Sequence, residues 1–330
     1  MWGSTPIAVW PCSIQRRGAG MAMRRGTARC LVVGGYLLLT ASPLAQTPER
    51  PCAFAGIRPG EKRPCLGGER SLEGRTYCVH VPAAPRAGLP VVLLLHGYSS
   101  NGESQSRYFD LDSAVDRRSF ILVKPKGTKD PRGALYWNSG RHLVPNVPDD
   151  VAYLTAVLED VVAAFGADAS RIYVVGHSNG AFMANRLACE RSDRIAAIVS
   201  LAAAVDPSAC HPVSPVSVLT VHGTADLLVH YAGATGGFLG PYASADATFA
   251  FWAKADGCTG QRTPGKPLHL TCDGTGTDTT VSTYAGCPSG VAVEHWRLDG
   301  AGHIPNFALP AWPDALLDFL WAHPKVAGVK

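Results

Sequence analysis

YVVGHSNGAF, residues 173–182, sets the reading of the rest of the chain. An apolar run leads in, Ser178 stands between Gly176 and Gly180, and small residues follow. The pattern, G-x-S-x-G over residues 176–180, predicts a strand that ends at a sharp turn, an elbow, and a helix that begins there. Side chains at the two glycine positions would clash in such a turn, which accounts for both glycines. The turn lifts the serine oxygen clear of the sheet. It also sets that oxygen near the positive end of the next helix, where developing negative charge is favoured.

Apolar runs bounded by turn residues recur on both sides of this stretch. They are GRTYCVHVP (74–82), PVVLLLHG (90–97), SFILVKPKG (119–127), RIYVVGHS (171–178), RIAAIVSLAAA (194–204), VSVLTVHG (216–223) and VAVEHWRLDG (291–300). Several are continuous Val, Ile and Leu, as strands covered on both faces require. Between them, VAYLTAVLEDVVAAF (151–165) has helical spacing, with Asp149 or Asp150 able to cap it. Residues 180–191, 244–255 and 311–322 also read as helices. Strands alternating with helices predict an α/β class with a mostly parallel sheet and helices on both faces. The first strand is expected to be antiparallel. The stretch 258–290 is expected to be an irregular excursion tied by a disulfide.

In parallel sheets, chemistry gathers at the carboxyl ends of strands. Four such ends carry candidate residues: His96-Gly97-Tyr98, Ser178, His222-Gly223-Thr224-Ala225-Asp226, and Gly300-Ala301-Gly302-His303. A serine hydroxyl needs a base, and the base needs an orienting acid. The expected chain order is serine, acid, histidine. His303, in a tight loop after Gly-Ala-Gly, is the expected base. Asp226, between the serine and the histidine in sequence, is the expected acid; Asp149 and Asp150 precede the serine and read as helix-start residues. His96 and His222 read as hydrogen-bonded structural residues. The backbone amides of Tyr98 and Asn179 are the expected oxyanion donors.

The N-terminus reads as a segment to be removed. Arg24, Arg25 and Arg29 precede the apolar stretch Cys30 to Ala41, and Ser42-Pro43-Leu44-Ala45 follows. That is the form of a secretory signal peptide, with cleavage expected after Ala45. The apolar stretch is too short for a membrane span, which needs roughly 18 residues. Residues 1–20 are candidates for a mis-assigned start, with Met21 or Met23 the more ordinary one. No cysteine follows the apolar stretch, so no lipid attachment or stable membrane anchor is expected. A single catalytic domain is expected over residues 46–330.

Residues 1–45 hold five of the 30 basic residues and no acid, which leaves 25 basic against 26 acidic residues. No basic face for nucleic acid is implied. Residues 46–330 retain eight of the ten cysteines, an even number that suggests disulfides in an exported chain. Zinc is the alternative, but no C-x-x-C pair or close Cys/His cluster occurs. Cys189 with Cys210 and Cys258 with Cys287 are the favoured pairs, the first flanking the strand after the elbow helix and the second closing the excursion.

GHSNGAF, HGTAD followed by Tyr231, LHGYSSNG, YWN (136–138) and DDVAYL (149–154) together resemble secreted α/β-hydrolase esterases. The resemblance is to those related to polyhydroxybutyrate depolymerases and feruloyl esterases, the carbohydrate esterase family one type. It runs from about residue 70 to 322. It implies an α/β-hydrolase fold, with Ser178, Asp226 and His303 as the triad. It also implies Tyr98 and Asn179 at the oxyanion positions, and Trp137 and Tyr231 as aromatic groups near the substrate. Two departures stand at the expected pocket rim. Ile304-Pro305 follows the histidine where relatives often have Trp-Pro, and SGRHLVPNVP lacks the cysteines many carry there.

The function expected is a secreted serine carboxylic-ester hydrolase that needs no metal or organic cofactor and no partner protein. Only 11 residues separate Ala204 from Val216, so no large cap domain is expected. An open pocket then favours small or oligomeric esters with short-acyl, hydroxyacyl or aryl-acyl groups. The chain stops soon after the last helix, so no module for holding solid polymer is expected. A peptidase on the same scaffold and a catalytically inert binding protein are the alternatives.

Overall fold

The computed structural model describes residues 31–33, 36–38, 52–53, 65–140, 148–237, 239–273 and 278–325. The chain divides into two units, Met1–Glu49 and Arg50–Lys330. In the first, β1 (Leu31–Val33) pairs antiparallel with β2 (Tyr36–Leu38). The expected cleavage region at 42–45 lies outside the described residues.

In the second unit the elements run, in chain order, β3 (Glu69–Leu72), β4 (Arg75–His80), β5 (Val91–Leu95), α1 (Gly102–Phe109), α2 (Leu111–Arg118) and β6 (Ile121–Pro125). The short strands β7 (Thr128–Lys129) and β8 (Leu135–Tyr136) follow, then α3 (Asp150–Phe165), β9 (Ile172–His177), α4 (Asn179–Glu190), β10 (Ala197–Leu201) and β11 (Ser217–Gly223). The last are α5 (Ala245–Ala255), β12 (Arg262–Pro264), β13 (Thr279–Tyr284), β14 (Val293–Leu298) and α6 (Ala311–Ala322).

Ten strands form one sheet in the order β12-β13-β14-β11-β10-β9-β5-β6-β4-β3. Neighbours from β14 through to β6 are parallel, while the pairs β12–β13, β13–β14, β6–β4 and β4–β3 are antiparallel. The expected strands are all present. The excursion is more regular than expected, because β12 and β13 extend the sheet there.

The strands are continuous runs of apolar residues because both faces are covered. Val91, Leu93 and Leu95 pack with residues of α3, α4 and α5, whereas Val92 and Leu94 pack with residues of α1, α2 and α6. Each fully buried side chain of this size contributes roughly 1.5–3 kcal/mol relative to exposure. Helices α1 and α2 have no counterpart in the sequence reading. They are short and polar (GESQSRYF, LDSAVDRR), and Asp110 between them is left-handed at φ +54°. The helix over 150–165 is capped by Asp149, whose side chain accepts from the Ala152 amide at 3.0 Å.

Among the described residues four disulfides are present: Cys52–Cys272, Cys65–Cys78, Cys189–Cys210 and Cys258–Cys287. The last two are the pairs expected from the sequence. Among the described residues no helix is long and apolar enough to cross a membrane. Strand β5 runs on to β6 on one side and pairs with β9 on the other. That reversal opens a crevice at the carboxyl ends of β5 and β9, where ligands bind in open α/β sheets.

Candidate active site

Ser178 stands between β9 and α4 with φ +55° and ψ −124°, a backbone conformation that side-chain-bearing residues rarely adopt. Its amide donates to the Leu201 carbonyl at 2.9 Å, and its carbonyl accepts from Ala181 and Phe182. The flanking glycines are sterically required. A Cβ on Gly176 would come within 2.3 Å of the Gly180 carbonyl oxygen, and one on Gly180 within 2.2 Å of that of Leu95. Strand, turn and helix therefore pack backbone against backbone, which is what the sequence implied.

The acid and the histidine come from neighbouring loops after β11 and β14. These loops are laced together: Thr224 donates to Leu298 at 3.0 Å, Ala225 to Ala301 at 2.9 Å, and Gly300 to the Thr224 hydroxyl at 2.8 Å. A Cβ on Gly223 would meet the Ala301 carbonyl oxygen at 2.3 Å, so only glycine lets them approach. The result is a hydrogen bond of 2.8 Å from His303 Nδ1 to Asp226 Oδ2. Asp226 is buried, and its other oxygen accepts from the Leu228 and Val229 amides at 2.8 and 2.9 Å. Burial pushes its carboxyl up, but bonds from His222, His303 and Val229 and the charge at His303 outweigh that. Asp226 is held well below the usual carboxylate range. With Nδ1–H committed to Asp226, the Nε2 lone pair of His303 is left to accept a proton.

The turn after β5 carries the other expected donor. The His96 ring accepts from the Gly127 amide through Nε2 at 3.1 Å and donates from Nδ1 to the Gly97 carbonyl at 2.8 Å. Burial pushes His96 down to about 4, so the ring is neutral and rigidly held, a structural histidine as expected. The amides of Tyr98 and Asn179 have no hydrogen-bond partner among the described residues. Asn179 also fixes its surroundings with its side chain, accepting from the Trp137 amide at 2.7 Å and donating to the Trp137 carbonyl at 3.0 Å.

A cavity of about 380 Å³ opens over these groups, with Ser178, Asn179 and His303 in its lining. Its walls include Tyr98, Phe182, Leu228 and Tyr242. Two expected substrate residues are not part of it. Trp137 is 1% exposed, and its indole N–H donates to the His96 carbonyl at 2.9 Å. A buried indole seeks a partner for its N–H, and here that partner is a carbonyl of the turn after β5. Tyr231 turns its hydroxyl to His295 Nε2 at 2.8 Å and packs against His222. His295 also has its Nδ1 on the Thr220 hydroxyl at 2.8 Å, and burial pushes it down to about 4. The sequence reading missed Phe182, Leu227, Leu228 and Tyr242. Leu227 and Leu228 directly follow Asp226, and that adjacency was the available signal.

A model of the phospholipase/carboxylesterase family of α/β-hydrolases matches residues 77–235, which include Ser178 and Asp226. The chain has the α/β-hydrolase fold. The relatives it matches are named as esterases. It is 28% identical over 340 residues to a protein named as esterase NocK from Nocardia uniformis subsp. tsuyamanensis, with 94% of each chain covered. Feruloyl esterase B of Piromyces equi is 29% identical over 204 residues, which cover 58% of this chain and 35% of that protein. Acetyl xylan esterase from Aspergillus awamori superposes with a TM-score of 0.52 at 15% identity, covering 75% of this chain and 94% of that chain. A thermostable esterase gives 0.51 at 12% identity, covering 76% and 60%. At such identities these two likenesses speak for the fold.

Proposed function

We propose that this α/β-hydrolase cleaves carboxylic esters by acyl transfer through Ser178, His303 and Asp226. The observation that carries the reading is the 2.8 Å bond from His303 Nδ1 to buried Asp226, with Ser178 and His303 lining one cavity. Ser178 Oγ attacks the ester carbonyl while His303 Nε2 takes its proton. Asp226 holds the imidazole tautomer and stabilises the imidazolium. The Tyr98 and Asn179 amides receive the oxyanion. The alcohol leaves with the proton from His303, and water activated by the same nitrogen then releases the acid.

The substrate class proposed is a small or oligomeric ester with a short-acyl, hydroxyacyl or aryl-acyl group, of the kind feruloyl esterases and polyhydroxybutyrate depolymerases cleave. The cavity volume and its apolar walls support this class, because a long acyl chain would find little further surface to bury. An oxidising, extracellular or periplasmic location is proposed from the four disulfides together with the basic-then-apolar N-terminus. The test is a panel of nitrophenyl esters paired with anilides of the same acyl groups. The highest kcat/KM is expected on acyl groups of about two to four carbons, falling well before about twelve. Anilide turnover equal to ester turnover, or a profile rising toward long chains, overturns the reading.

A further inference from the structure

The elbow pattern fixes glycine at 176 and 180 and serine at 178, but it leaves position 177 open. The histidine found there therefore needs its own explanation. His177 is the last residue of β9, is only 6% exposed, and lies among Tyr108 and Phe109. An apolar side chain would fill that place without the cost of burying a polar ring. What the imidazole adds is a donor. His177 Nε2 lies 2.9 Å from the carbonyl oxygen of His303, which can only accept. The two rings also pack at 5.0 Å between centroids.

A second buried side chain acts on the same loop. The Tyr108 hydroxyl, from α1, donates to the carbonyl of Pro305 at 2.9 Å. The Tyr108 ring packs on the His177 ring at 5.6 Å. On its other side His177 borders the oxyanion turn, since a Cβ on Gly97 would lie 3.7 Å from its Nδ1. Asp226 orients the ring of His303, but it places no constraint on the main chain that carries the ring.

We propose that His177, backed by Tyr108, is a positioning residue that holds the backbone of the His303 loop at its working distance from Ser178. This inference rests on the triad reading above. His177 is covalently next to the nucleophile, so one strut ties the height of the base to the position of the serine across 126 residues of chain. Burial, and the charge on His303, push His177 down to about 4, so its ring stays neutral and keeps donating through Nε2 at neutral pH.

The test compares the full chain with His177→Leu, His177→Gln, His177→Asn and Tyr108→Phe. Two rates are measured: kcat and KM on nitrophenyl butyrate, and phosphonylation of Ser178 by a fluorophosphonate, which needs the same base but no natural substrate. His177→Leu is expected to lower kcat and the phosphonylation rate by about 10- to 100-fold, with KM within about twofold. The amide nitrogen of glutamine reaches where imidazole Nε2 lies, so His177→Gln is expected to recover to within about threefold of the parent. Asparagine stops short, so His177→Asn is expected to stay slow. Tyr108→Phe is expected to lose about three- to tenfold in both rates.

A folded His177→Leu with parental rates overturns the proposal, as does a His177→Gln no faster than His177→Asn. That second comparison decides the matter if the leucine variant fails to fold. A parent that reacts with the fluorophosphonate but cleaves no ester removes the ester reading and leaves this inference standing. A parent inert toward the fluorophosphonate removes both.

Discussion

At the turn that carries Ser178, Gly176 and Gly180 pack against the Gly180 and Leu95 main chain with no room for a methyl group. In the lining of the cavity beside Ser178, Leu227 and Leu228 stand 84% and 65% exposed. The first region, the floor, has its geometry set by close main-chain contact. The second, the rim, presents exposed apolar side chains. Apolar groups left clustered at the surface mark interaction sites more often than they mark chance. On the proposed function, the difference assigns the chemistry and the choice of substrate to separate parts of one site. A change in the floor should alter turnover of every substrate, and a change in the rim should alter substrates unequally.

The sharpest way to break that division starts at the floor. Ser178→Ala is expected to lower kcat by about 10⁶ on every ester tested, with folding intact. Near-parental turnover in that variant would mean that the chemistry sits elsewhere. Asp226→Asn comes next, at on the order of 10⁴ in kcat, because an amide there favours the wrong imidazole tautomer. Stopped-flow release of nitrophenol reads both.

The rim should respond more weakly and selectively. Leu227→Ser with Leu228→Ser is expected to lower kcat/KM on a butyrate ester by about three- to tenfold, mostly through KM, with a smaller change on the acetate. Equal losses on both esters would dissolve the distinction between floor and rim.

The smallest effect on activity is expected from a buried acid in neither region. Asp256 is 1% exposed and accepts from the Val216 amide at 2.9 Å; burial pushes its carboxyl up to about 7. The folded state thus binds this proton more tightly than the unfolded chain, whose ordinary value is 3.8. Its stabilising contribution is full below about pH 4 and is lost as pH rises through about 7. Asp256→Asn should therefore leave kcat unchanged and gain in Tm relative to the parent as pH rises from about 5 to 8. A constant Tm difference across that range would show that the carboxyl group does not ionise there.

The sequence by itself determined a good deal of this protein. The central strands, the long helices over 150–165 and 311–322, and the elbow with its two glycines were legible. All depend on local period and on main-chain sterics within a few residues. The placement of Ser178, Asp226 and His303 after the parallel strands β9, β11 and β14 followed for the same reason. Cys189–Cys210 and Cys258–Cys287 were also readable, because each closes a short segment between elements already assigned.

Only the tertiary structure decided where the aromatic side chains point. Trp137 lies one residue beyond β8, yet its ring is buried against the turn after β5, because the His96 carbonyl offers its N–H a buried partner. Tyr231 lies five residues past Asp226, yet its hydroxyl goes to His295. The bond from His177 to His303 joins residues 126 apart. In each case the outcome depends on which hydrogen-bonding group a distant element brings alongside. A buried polar atom must find such a partner wherever the fold supplies one, and spacing along the chain carries no record of it.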